Sequence, residues 1–273
     1  LRRSRGLGDV YKRQVINISK RVLNSSGSKT YDANTDALAS AITLSNLAST
    51  ETLVDSGTAT LSSANVGSYT INNLTGVSIA DGTNGGLASN YTLTGGTHNF
   101  TVNRRVVGVS GTRLYDATTN AAASDLATHA NLVGSQTLSL SGTGTIASKN
   151  VGSNKTVSIG TLALADGSNG GLASNYTLTG GTHQLTVNQA RISLTGSRQY
   201  DGTVNVRNSE VSLTGQQGGE DLTISGTGSV ASKNVGNGKS VTTTGLTLGN
   251  GQSGTPGLAS NYTFSGGTQT FNI

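Results

Sequence analysis

Thirteen carboxylates, three histidines and a large stock of hydroxyls are the side chains here with acid–base, nucleophilic or metal-binding chemistry; there is no cysteine. A serine nucleophile needs a positioned base. His98 and His183 occupy one position of a repeated pattern, and Gln269 fills it the third time, while His129 stands alone. A residue duplicated in one place and replaced in another reads as a packing or surface position. Asp55, Asp125 and Glu220-Asp221 form no repeated pair of carboxylates. Calcium needs several clustered oxygens, usually with two or more carboxylates. Asp81–Asn84 and Asp166–Asn169 hold one carboxylate each, with Gly249 or Asn250 at the third occurrence. The glycine-rich segments carry no lysine and precede strands, so none has the form of a phosphate loop. The expectation is a non-enzymatic chain with no catalytic residue, no metal and no cofactor.

The elements that position these residues repeat three times. Tyr31-Asp32, Tyr115-Asp116 and Tyr200-Asp201 form the first landmark. The second is Asn-Val-Gly, at Asn65 to Gly67, Asn150 to Gly152 and Asn234 to Gly236. The third is Gly-Leu-Ala-Ser-Asn-Tyr-Thr, whose tyrosines are Tyr91, Tyr176 and Tyr262. The period is about 85 residues, which suits a small closed domain and exceeds the 20–30 residues of a solenoid rung. The boundaries follow as 15–103, 104–188 and 189–273, here called modules one, two and three. They join without a glycine-serine spacer, which restricts motion between neighbours.

Glycine is abundant, at 39 of 273 residues, yet Val, Ile and Thr alternate with polar residues as in half-buried strands. In module two the pattern predicts strands over 105–110, 136–141, 155–163, 175–179 and 183–187. A short helix is an option over 120–133, although its counterpart over 204–213 reads as a strand. Asp81-Gly82 and Asp166-Gly167 are turn signals, because these residue types tolerate positive φ. The expected fold class is all-β: three tandem β-sandwich modules of immunoglobulin-like character, or β-grasp-like modules, in a linear rod.

The formal charge of +5 lies mostly in residues 1–14, with Arg2, Arg3, Arg5, Lys12 and Arg13 against Asp9. That segment reads as an artefactual adapter translation or a disordered tail. The rest is near balance, so no basic face remains for nucleic acid. No apolar run is long enough to span a membrane. The chain begins without methionine and is expected to be a fragment, its export signal and any anchor lying elsewhere.

Taken together these landmarks resemble the YDG-type repeat modules of very large bacterial exoproteins, including filamentous-haemagglutinin-like adhesins exported by two-partner secretion. Module three matches best, with Tyr200-Asp201-Gly202-Thr203, Gly219 to Leu222, Ser232 to Gly236 and Asn261 to Thr263; Ala33 and Ala117 depart from the family glycine. The resemblance implies an extracellular or cell-surface parent in which these repeats are a stalk, with neighbouring modules as partners. An alternative is a repeated binding module for host or matrix glycans or proteins, acting through multivalency. On that alternative Tyr91, Tyr176 and Tyr262 would be aromatic platforms. The simpler expectation is that these tyrosines, and Tyr31, Tyr115 and Tyr200, fill the module cores. Asn17, Asn24, Asn73, Asn90, Asn99, Asn175 and Asn261 lie in glycosylation sequons, a pattern that Asn- and Thr-rich composition also produces.

Overall fold

A computed structural model describes residues 16–72 and 74–273; the basic tail and the Asn73 sequon lie outside the described residues. The chain divides into two compact units that part between Asn103 and Arg104. The first holds module one, and the second holds modules two and three.

Each module is built the same way. In module two the central pair is Gly108–Leu114 and His183–Asn188, the first long strand and the last, running parallel from Val109 opposite His183 to Leu114 opposite Asn188. Around them lies a six-stranded sheet in the order Asn120–Ala122, Thr143–Ile146, Gly152–Ser158, His183–Asn188, Gly108–Leu114, Thr128–Ala130. A second sheet pairs Leu138–Ser141 with Ala163–Asp166. The same parallel pairing joins Asn24–Thr30 to His98–Asn103 in module one and Ser193–Ser197 to Gln269–Asn272 in module three. Parallel strands begin at the same end. A chain that enters on the first and leaves on the last therefore enters and exits at opposite poles of the module.

The two sheets share a bent strand. In module three it is continuous, Glu220–Val230, pairing with Leu246–Asn250 along its first half and with Asn205–Arg207 and Lys239–Thr242 along its second. In module two it splits at Gly142. Gly57, Gly142 and Gly226 hold the bend with φ of 94°, 84° and 88°. A Cβ at any of them would land on the carbonyl of Gly76, Thr161 or Gly245. Only glycine satisfies both demands. Two sheets joined this way make a sandwich-like module. Helix is limited to single 3-10 turns among the described residues, so nothing there lies across a sheet as a β-grasp helix would. None of these helices is long or apolar enough to cross a membrane.

The helix option over 120–133 is not what forms: strands Asn120–Ala122 and Thr128–Ala130 flank the turn Ala123–Asp125. Leu126 is fully buried. The Asp-Gly turns also differ in detail. Positive φ falls at Asn84-Gly85 and Asn169-Gly170, while the Asp81 and Asp166 carboxylates accept the N–H of Ala88 and Ala173, each at 2.7 Å. Asn250 does the same for Ala259 in module three.

Cores are small. Module three buries Leu194, Val206, Val230, Val241, Leu246 and Phe271 in one cluster. Phe100, Leu185 and Phe271 hold the same place on the last strand and are 0–1% exposed. Because Gly142 combines a positive φ with a collision and Gly180 (φ 83°) faces open space, the two separate strain from clash. Gly180→Ala should cost about 1–2 kcal/mol from backbone conformation alone. Gly142→Ala should cost about twice that or more, measured by urea unfolding of both variants.

Candidate functional site

The Tyr-Asp landmark is a turn held by a cation two residues before the tyrosine. Lys29, Arg113 and Arg198 pair with Asp32, Asp116 and Asp201. Each also donates across the turn, to the carbonyl of Asn34 (2.8 Å), Thr118 (2.7 Å) or Thr203 (2.6 Å). The aspartate in turn accepts the N–H of the same residue, at 3.1, 2.9 and 2.9 Å. Burial pushes the carboxyls of Asp32 and Asp116 up, but the hydrogen bonds from Lys29 and Arg113, together with those from Asn34 and Thr118 and the attraction of the cations, outweigh it and hold them below the usual range. At Asp201 the Thr203 N–H is the main cause of the same lowering. All three carboxylates are thus occupied with backbone and cation.

Asn-Val-Gly opens the strand that pairs with the last strand. Gly67 lies opposite Val102 and Gly152 opposite Val187, while Gly236 exchanges two hydrogen bonds with Ile273. Serines two residues earlier, Ser63, Ser148 and Ser232, accept the N–H of Asn65, Asn150 and Asn234.

The third landmark sits at the other pole. The Tyr91, Tyr176 and Tyr262 rings are 2–3% exposed. Their hydroxyls accept the N–H of Ala48, Val133 and Gln217 and donate to Glu51, Gln136 and Glu220. A ring this enclosed offers no face to a sugar.

In the second unit these landmarks converge. Tyr115 of module two inserts against module three, its ring 5.4 Å from that of Tyr262 and at 80° to it, an edge-to-face contact. Its hydroxyl donates to Glu220 Oε1 at 2.6 Å, and Tyr262 donates to Glu220 Oε2 at 2.7 Å. Lys149, next to the Asn-Val-Gly of module two, pairs with the same carboxylate at 2.5 Å. Asn261 is 1% exposed and reads the loop beside it: its Oδ1 accepts the Val151 N–H and its Nδ2 donates to Asn150 Oδ1, both at 3.0 Å. A single residue, Gln189, separates the last strand of module two from Ala190–Arg191, and its amide donates to Ser260 and Tyr262 carbonyls.

The Glu220 side chain is 1% exposed, so its charge is tolerated only because three donors meet it. Burial alone would raise its pKa; the hydrogen bonds from Lys149, Tyr115 and Tyr262 reverse that and leave it below its ordinary 4.5. Burial, reinforced by the bond to Glu220, raises both tyrosines above their ordinary 10.0. The bond to Glu220 likewise raises Lys149.

Tyr200 breaks with the expectation of a core tyrosine. It is 55% exposed, against 1% for Tyr115. Tyr115 is covered by module three rather than by its own module, and among the described residues nothing does the same for Tyr200. The sequence reading also missed the cations and the oxygens at Glu51, Gln136 and Glu220. Both had a signal: Lys or Arg stands two before every Tyr-Asp, and a carboxyl or carboxamide stands 40, 40 and 42 residues before the third-landmark tyrosine.

His98 and His183 are buried, and their Nε2 atoms bond the carbonyls of Leu93 and Leu178, as the Gln269 amide bonds that of Phe264. These are turn braces. Asp221, next to Glu220, accepts the N–H of Gln252 and Ser253. Among the described residues no cluster of three or more His, Asp or Glu is placed to hold a metal ion.

Arg198→Ala should destabilise module three by about 1–3 kcal/mol, through the lost carbonyl bond and the cation over the Phe271 ring 5.6 Å away. Arg198→Lys should keep most of it, as Lys29 fills that place in module one; equilibrium unfolding of both checks this. The junction carries its own pH signature. A lowered carboxyl stabilises above its unfolded pKa and loses that stabilisation as pH falls through its folded value. Raised Tyr and Lys values act oppositely, stabilising below about pH 10 and fading above it. The stability difference between wild type and Glu220→Gln, from urea unfolding at several pH values, should therefore be largest near neutrality and shrink below pH 4.5.

Residues 15–98, 101–183 and 182–270 each match the YDG domain. No curated protein and no solved structure matches the chain.

Proposed function

This chain belongs to the YDG domain family, and we propose that its tandem modules form the stalk of a large secreted or cell-surface bacterial adhesin, extending a binding region that lies elsewhere. The observation that carries this reading is the junction in the second unit. The residues that define the repeat, Tyr115, Asn150, Val151, Asn261 and Tyr262, are engaged by the neighbouring module. A binding module would keep its repeated aromatic and amide groups open to a ligand, and at this junction they are closed. With entry and exit at opposite poles of each module, repetition adds reach. A polar, nearly neutral surface of Thr, Ser and Asn suits a spacer that must not adhere along its length.

Small-angle scattering of the chain with and without calcium tests this. An extended particle whose maximum dimension does not respond to calcium is expected. A compact particle, or one that extends only with calcium, would overturn the stalk.

A further inference from the structure

Hydrogen bonds cross from module two to module three at two places: Tyr115 and Lys149 donate to Glu220, and the Asn150-Val151 loop exchanges bonds with Asn261. Most of these residues are the same in every module. Tyr31 and Tyr200 match Tyr115, Asn65-Val66 and Asn234-Val235 match Asn150-Val151, and Asn90 and Asn175 match Asn261. The other two positions vary. Ala64, Lys149 and Lys233 stand directly before the Asn-Val-Gly, and Glu51, Gln136 and Glu220 accept the third-landmark hydroxyl. They vary in step along the chain: the module with Ala64 precedes the one with Gln136, and the module with Lys149 precedes the one with Glu220.

We infer that Lys149 and Glu220 are a matched pair that selects the module accepted after module two: the lysine fits a neighbour that brings a carboxylate and discriminates against one that brings a carboxamide. Tyr262, from within module three, donates to Oε2 of Glu220 at 2.7 Å, so Oε1 depends on what module two supplies. It receives Tyr115 at 2.6 Å and Lys149 at 2.5 Å. With the Glu220 side chain 1% exposed, an alanine in place of Lys149 leaves a buried anion without its cation. A glutamine in place of Glu220 fails differently. With its oxygen on Tyr262, as Gln136 holds Tyr176, its amide N–H groups face an ammonium that can only donate. A mismatch is thus penalised from either side, which is what makes a contact selective. Changing both residues removes both faults, because the amide can then donate to the Tyr115 hydroxyl. Losing one partner of a buried pair costs far more than replacing the two together. The selection holds whether or not the array is a stalk, since it concerns only which module follows which.

The chain has no cysteine, so an introduced thiol pair can report docking. A Cβ at Gly218 would stand 2.7 Å from the Ala117 Cβ across the junction, and a shift of about 1 Å gives the spacing of a disulfide. The full chain with Ala117→Cys and Gly218→Cys, equilibrated with reduced and oxidised glutathione, reads the effective concentration of the two thiols. Adding Lys149→Ala or Glu220→Gln should lower that concentration about tenfold in each case. Adding both should bring it back to within about threefold of the parent, the non-additivity of a coupled pair. Lys149→Met keeps the stem beside the Tyr115 ring, whose centroid lies 6.0 Å from Nζ, and removes the charge. As a substitution outside module three it leaves the fold of that module untouched, and it should lower the value as Lys149→Ala does. A double variant no better than the singles, or any single variant that docks like the parent, overturns the proposal.

Discussion

Large apolar side chains are scarce in this protein, with three phenylalanines, eight tyrosines and no tryptophan in 273 residues, and that scarcity decides where each ring goes. The middle of a module is filled by aliphatic residues around one Phe or Leu of the last strand. The six tyrosines of the first and third landmarks stand at the poles. There a ring can be buried while its hydroxyl still reaches a polar partner, which a mid-core position would deny it. Two such poles meeting bring two hydroxyls to one place, and a carboxylate between them satisfies both. Glu220 is the consequence: an anion with two tyrosines and a lysine around it, tolerable in a nearly dry site because each oxygen has a donor.

Much of the architecture was legible in the sequence because it is local and repeated. The period, the module count, the all-β class and the absence of spacers all follow from landmarks that recur in order. The strands near 138–141 and 183–188 were visible as alternation. Less legible was anything set by contacts distant in the chain. Tyr115 and Tyr262 stand far apart in sequence, and a repeated tyrosine reads equally well as core or as interface. Tyr200 shows the difference, since the same residue type in the same turn lies open where no module covers it. The residue pair 120–122 and 128–130 misled for another reason: an alanine-rich run has helical propensity, and the edge pairing of these short strands overrides it.

The landmarks also show how one motif serves two ends. The Tyr-Asp turn is self-sufficient below the ring: cation, carboxylate and carbonyl close on one another within five residues. That closure fixes the turn before any neighbour arrives and presents the tyrosine in one orientation. Preorganisation of this kind lowers the entropy lost when two modules meet. It explains why the turn keeps its geometry in module three, where Arg198, Asp201 and Thr203 make the same bonds around an exposed Tyr200.

The parallel pairing of first and last strands has a mechanical meaning. A pull applied at the two poles of a module draws these strands along each other in opposite senses. The hydrogen bonds between them, from Val109 and His183 to Leu114 and Asn188 in module two, lie across that pull and share it. They are loaded in shear and must yield together, whereas a hairpin pulled from its open end unzips one bond at a time. Tension along the chain thus falls on the most cooperative set of bonds that each module possesses.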